Sequence, residues 1–287
     1  MTDRSAFPRY QRRRVLGSLA VAAMAAPIAL TGCASASAGG LTADSQPLGA
    51  KAAAAQVLWS PNPATDGLKA FEGIEADRAG KHPGRKYVYV EGDHYRFDIY
   101  KDDLDSTGDN DRQRTESKGM VSNGTALKMK NGETWTISYE MYMPSTLHGT
   151  SKFTHIFQLK TPATNGGPWI TLDLGRSGST ETFHARAYSM SGSPDIASTS
   201  LSPLRDKWIT VEWTFTIGPK GKARFVARNG TGSSAPVVAD GSMSNVNIPD
   251  QGDYVRPKWG IYRSIKSASS DIIDTHLLFR NYQASRA

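Results

Sequence analysis

The stretch KWITVEWTFTIG places Ile209, Val211, Trp213, Phe215 and Ile217 at every second position, with Thr210, Glu212, Thr214 and Thr216 between them. Alternation this long fits a strand with one face in a core, because a helix would scatter these side chains around its circumference. ETWTISYEMYMP repeats the pattern with Trp135, Ile137, Tyr139, Met141 and Met143. Further strands are predicted at HYRFDIY, KFTHIFQLK, WITLDLG, TFHARAYS, KARFVARNG, KWGIYR and HLLFRNYQ, separated by the turn signals NGE, TNGGP, GPKGKA and RNGTGSS. No window beyond the N-terminal segment sustains a helical period. The predicted fold is all-β: a single-domain β-sandwich of jelly-roll (concanavalin-like) type over residues 57–287.

The N-terminal segment has another purpose. Arg12, Arg13 and Arg14 precede an apolar run from Val15 to Leu30, interrupted by Pro27 and shorter than the about 20 residues a spanning helix needs. Residues 1–32 resemble a twin-arginine export signal, and Leu30-Thr31-Gly32-Cys33 resembles a bacterial lipobox. Cys33, the only cysteine, is the expected lipid attachment site, so no internal disulfide is expected. Residues 33–56 are rich in Ala, Gly and Ser and read as a tether. The expected product is an exported bacterial lipoprotein of the cell envelope, on the periplasmic or surface side. It is expected to be a monomer that meets the membrane only through its lipid.

Charge is a weak guide to partners. Of 34 basic and 27 acidic side chains, five arginines and one aspartate lie in residues 1–32, leaving 29 against 26, or net +3. That balance argues against nucleic acid as a partner. Local placement says more. In DNDRQRTESKG, Arg112, Arg114, Glu116 and Lys118 share one strand face, and Gln113, Thr115 and Ser117 the other. Taken alone, this reads as a charge-protected edge strand. In KFTHIFQLK, Gln158 and Lys160 point away from the core, while His155 falls with Phe153, Phe157 and Leu159 on the apolar side. In YVRPKWGIYRS, Trp259 and Ile261 face the core and Lys258, Gly260 and Tyr262 face out, with Gly260 a flat spot for close approach to the backbone.

These three stretches, Arg114-Thr115-Glu116-Ser117-Lys118, Gln158-Leu159-Lys160 and Lys258-Trp259-Gly260-Ile261-Tyr262, resemble in order the strand motifs of jelly-roll polysaccharide lyases. The string FTHIFQLKTPATNGGPWITLDL, with KWGIYRS, is similar to the glucuronan-lyase and heparinase-like branch of the alginate lyase superfamily. Lys160 stands where the alginate-lyase motif has histidine, and Tyr254-Val255 lies one residue further from the lysine than in that motif. The resemblance implies β-elimination on a 4-linked uronic-acid polysaccharide, an anionic partner, with no cofactor required. Tyr262 is the implied base and acid. Arg114, with Gln158, neutralises the sugar carboxylate. Lys258 and Arg114 favour the phenolate. Arg112, Glu116, Lys118, Lys160, Gly260, His155 and His94 make up the substrate-binding set, the two histidines as second bases if a bulge turns either into the cleft.

The stereochemistry of the sugar gives a finer expectation. In glucuronate and mannuronate the C5 proton and C4 oxygen lie on one side, so a single tyrosine serves both; in guluronate and iduronate they lie on opposite sides. With Lys160 in the histidine position, a glucuronan-like substrate is expected. A non-catalytic carbohydrate-binding lipoprotein with a lectin-like sandwich is the alternative. A glycoside hydrolase would need two carboxylates flanking the bond, and no paired-acid strand is present. Asp102, Asp103 and Asp105 read as a structural calcium site or as a solvated acidic loop.

Overall fold

The computed structural model describes residues 55–106, 108, 111–163 and 166–287; the export segment, Cys33 and nearly all of the tether lie outside the described residues. Strands are, in chain order, β1 (Gln56–Trp59), β2 (Gly73–Ala76), β3 (Val88–Glu91), β4 (His94–Ile99), β5 (Arg112–Lys118), β6 (Val121–Ser122), β7 (Thr125–Ala126) and β8 (Thr134–Tyr142). They continue as β9 (Thr154–Lys160), β10 (Ile170–Ser177), β11 (Thr180–Arg186), β12 (Asp195–Ser200), β13 (Trp208–Thr216), β14 (Gly218–Arg228), β15 (Val237–Ile248), β16 (Arg256–Ser264) and β17 (Thr275–Arg286). Among the described residues the only α-helix is the single turn Pro63–Asp66.

Two antiparallel sheets form the sandwich. One runs β15-β14-β13-β8-β17-β4-β3, with β1 also on β17; the other runs β12-β11-β10-β9-β16-β5-β2. The alternating residues Ile209, Val211, Trp213 and Phe215 of β13 are fully buried between them, as are Phe157, Leu159, Trp259 and Ile261 of the second sheet. Each such side chain contributes about 1.5–3 kcal/mol on leaving water. Trp259 sits among aromatic rings, 5.5 Å from Trp59, 4.9 Å from Tyr282 and 6.0 Å from Phe157. This packing seats β16 from beneath and fixes what its outer face presents.

The edge-strand reading of β5 is corrected. β5 lies between β16 and β2, and Gln113, Thr115 and Ser117 are fully buried. A polar inner face is tolerated where its groups find partners. Gln113 accepts from Arg263 Nε at 2.8 Å and donates to the Lys101 carbonyl at 2.9 Å. Thr115 keeps a hydroxyl with no hydrogen-bond partner.

A bulge interrupts the pairing of β16 with β9, where Trp259 opposes Phe157 but Tyr262 opposes His155. On the other side of β9, Leu172 opposes Phe157 and Asp173 opposes His155, so Ile156 is the extra residue there. Because side chains alternate, one inserted residue exchanges the faces beyond it. Ile156 therefore joins the core and His155 turns to the outer face.

Gly260 sits at this irregularity with φ +132°, and a Cβ there would lie 2.1 Å from the Thr115 carbonyl oxygen and 2.8 Å from Glu116 Cα. It is buried, so the expected flat spot for a ligand is instead a close approach of β5 to β16. Gly260→Ala is expected to cost about 3 kcal/mol or more and to lower the melting temperature by about 10 °C. A calorimetric scan checks this; an unchanged melting temperature would show that β5 and β16 can separate at no cost.

Candidate active site

The outer face of the second sheet carries a groove. Its central cavity, of about 350 Å³, is lined by Arg112, Arg114, His155, Gln158, Lys160 and Tyr262, with Phe153, Gly167, Pro168 and Tyr188. A cavity on one side shares Arg114 and Lys160 with it, and one on the other side shares Phe153, His155 and Tyr188. Three strands supply the floor. β16 lies between β5 and β9, with Tyr262 opposite Arg114 on one side and opposite His155 on the other.

Two arginines hold Tyr262 in the groove. Arg112 Nη1 donates to its Oη at 2.9 Å, and Asp111 holds the same guanidinium at 2.6 Å. The Arg114 guanidinium carbon stands 3.8 Å from the centre of the Tyr262 ring, close enough for a cation–π contact. Burial raises the phenol above its ordinary pKa, and Arg114 and then Arg112 pull it back toward phenolate. Arg112, expected only to bind substrate, is thus the direct partner of the Tyr262 phenol oxygen.

Lys258 does not have that role. Its ammonium lies 2.6 Å from both Glu75 and Glu116 and is 3% exposed, so its charge is spent inside the sheet. Glu116, expected at the ligand surface, is fully buried; it also takes Arg114 at 2.7 Å and Gln158 Nε2 at 2.5 Å. Arg114 is further held by Asp105 at 3.0 Å. The two groups expected to meet the sugar carboxylate, Arg114 and Gln158, are therefore committed to protein carboxylates. Lys118 stands 3.6 Å from Glu75, outside the central cavity. Burial pushes Glu75 up, but Lys258, Arg114 and Lys118 hold it down at about 2.

The two histidines part company. His155 lines the central cavity, with its ring 5.8 Å from that of Tyr262 and stacked 5.0 Å from Phe153. Asp173 bonds its Nδ1 at 2.6 Å; with that nitrogen as the donor, the lone pair of the neutral ring is on Nε2. The apolar-side expectation for His155 is overturned by the bulge at Ile156. His94 belongs to β4 in the other sheet, between Asp93 and Glu91, and does not join the groove.

The acidic loop is also tied down. Arg85 bonds Asp102 at 2.7 Å and Asp103 at 3.1 Å, whereas Asp105 faces Arg78 and Arg114. Asp102 and Asp103 do approach His82, but Asp105 points to a different place, so the three carboxylates do not converge.

Sequence reasoning missed Glu75, Asp173, Phe153 and Tyr188. Asp173 had a signal: it is a lone acid on the outward face of WITLDLG. Glu75 had none, since GIEA is too short to register as a strand.

No family model matches the sequence, and no curated protein matches it. Among solved structures the chain is similar to the family 7 alginate lyase A1-II′ in complex with product, with TM-score 0.52 and 10% identity over 80% of this chain and 100% of that one. The alginate lyase from Klebsiella pneumoniae also matches, with TM-score 0.46 and 11% identity over 79% of this chain and 99% of that one. The likeness is one of architecture: the chain is a jelly-roll β-sandwich similar to that of family 7 alginate lyases.

Proposed function

We propose that this protein is a polysaccharide lyase that cleaves 4-linked uronic-acid chains by β-elimination, with glucuronan-like chains preferred. The observation that carries the reading is Tyr262: a phenol on the floor of an open groove, bonded by Arg112 and covered by Arg114, beside His155. The fold shared with alginate lyases supports it. In the reaction Tyr262 Oη takes the C5 proton and the released electron pair forms the C4–C5 double bond. The C4–O bond breaks, and the departing oxygen takes a proton back from Tyr262. The proposed chemistry draws on side chains alone. By the sequence argument the protein works as an exported monomer, lipidated at Cys33.

The placement of two side chains supports the sugar preference. Tyr262 and His155 rise from neighbouring strands of one sheet and so reach a bound sugar from the same side. That arrangement suits glucuronate and mannuronate, whose C5 proton and C4 oxygen lie on one face. With Lys160 in the histidine position of the motif, the further base beside Tyr262 is His155, which stands on that same side.

The test is a panel of glucuronan, mannuronate blocks, guluronate blocks and heparin-type chains, followed by the ultraviolet absorbance of the unsaturated uronate. Glucuronan is expected to be cleaved faster than guluronate blocks. Faster cleavage of guluronate would overturn the preference. Binding of a chain without any absorbance rise would make the protein a carbohydrate-binding module instead.

A further inference from the structure

We propose that Lys160 is the receptor for the carboxylate of the uronate being cleaved, the task that the motif resemblance gives to Arg114 with Gln158. The inference rests on the lyase reading above and deepens it.

Charge matching singles out Lys160. The cations lining the central cavity and the cavity that shares Lys160 are Arg112, Arg114, Lys160, Lys258, Arg256 and Arg78. Five of them have a carboxylate oxygen in ion-pair contact. Arg112 has Asp111, Arg114 has Asp105 and Glu116, and Lys258 has Glu75 and Glu116. Arg256 has Glu72 at 2.6 Å and Arg78 has Asp105 at 3.3 Å. Lys160 has none among the described residues. An arginine already bridging two protein carboxylates offers little to a third, because each new anion competes with those present. An unmatched ammonium at the junction of two cavities attracts the full charge of an incoming carboxylate.

Its surroundings sharpen the point. Lys160 is half-buried, and burial together with the charges of Lys258 and Arg114 pushes its pKa below that of an ordinary lysine. A bound carboxylate reverses that disadvantage by giving the ammonium the partner it lacks. Lys160 shares its face of β9 with Gln158, and it lines the same cavity as Tyr262. A sugar whose carboxylate meets Lys160 therefore lies in the cavity where the C5 proton must be removed. Elimination places negative charge next to that carboxylate, so the ammonium stabilises the transition state more than the ground state.

A point charge of this kind distinguishes a free acid from its ester. The experiment compares a polyuronate that the full-length protein cleaves with the same polymer methyl-esterified, for wild type, Lys160→Met and Lys160→Arg, with melting curves to confirm folding. Lys160→Met is expected to lose about thirtyfold in kcat/KM on the acid and to change little on the ester. Lys160→Arg is expected to recover most of the loss. An acid-to-ester ratio unchanged in Lys160→Met would overturn the assignment while leaving the lyase reading intact. If the wild type cleaves no polymer, the lyase reading fails, and equilibrium binding of the same two polymers decides on Lys160. Weaker binding of the acid alone in Lys160→Met upholds it as a carboxylate receptor, and equal binding overturns it.

Discussion

Tyr262→Phe is expected to abolish elimination while leaving the fold and polymer binding in place. The change removes a single oxygen and keeps the ring that packs against Phe153, His155 and Arg114. Arg112 loses its contact with Oη but retains Asp111. Loss of a general acid–base group costs about 10²–10⁴-fold in rate, and here one group serves both proton transfers, so the upper part of that range applies. The pH profile is a second readout. A base acts in its deprotonated form, and burial sets the Tyr262 phenol above its ordinary pKa. Wild-type activity is thus expected to rise through the alkaline range until Lys160, whose pKa is lowered, gives up its charge. If Tyr262→Phe keeps wild-type kcat, His155 becomes the base, and its Asp173 bond the feature that sustains it.

Which parts of this were legible in the sequence follows from how strands bury their surfaces. β13 and β8 have neighbours on both sides and one face in the core, so their alternation is strong. The strands that end the two sheets, β15, β3, β12 and β2, were not recognised. An edge strand such as DIASTS is covered by little and needs few apolar residues. The site suffered from the same rule in reverse. Charges on β5 looked like solvent-facing protection, whereas Glu116 sits under the groove as the anion that Lys258, Arg114 and Gln158 share. Strand alternation gives direction but not depth. The position of His155 was hidden for a different reason: a one-residue bulge reverses a face and leaves no mark in the local pattern, apart from Gly260 on the facing strand.

Lys258→Met is expected to produce a large loss of stability, because it removes the ammonium that two carboxylates share and leaves them to Arg114, Gln158 and Lys118. Glu116 is fully buried and Glu75 mostly so, and each is 2.6 Å from the ammonium that would be removed. Breaking a buried pair by deleting one partner costs about 3–5 kcal/mol, or about 10 °C in melting temperature for a domain of this size. Adding Glu116→Gln to Lys258→Met removes the more deeply buried of the two charges that lose the ammonium, so the double variant is expected to be more stable than the single one. The pH dependence separates charge from packing. Glu75 is held at about 2 against an unfolded value of 4.5, and Glu116 is lowered as well, against its burial, by Lys258 and Arg114. Carboxylates depressed in the folded state contribute stability that is fully present above about pH 4.5 and disappears as pH falls toward 2. Without Lys258 the two acids bind protons more readily in the folded state, which removes much of that acid-side decline. The stability gap between wild type and Lys258→Met is therefore expected to narrow steadily from pH 4.5 to 2 in denaturant titrations. A gap constant across that range would mean that the lysine acts through the packing of its methylenes, and the shared-carboxylate account of the groove floor would have to be abandoned.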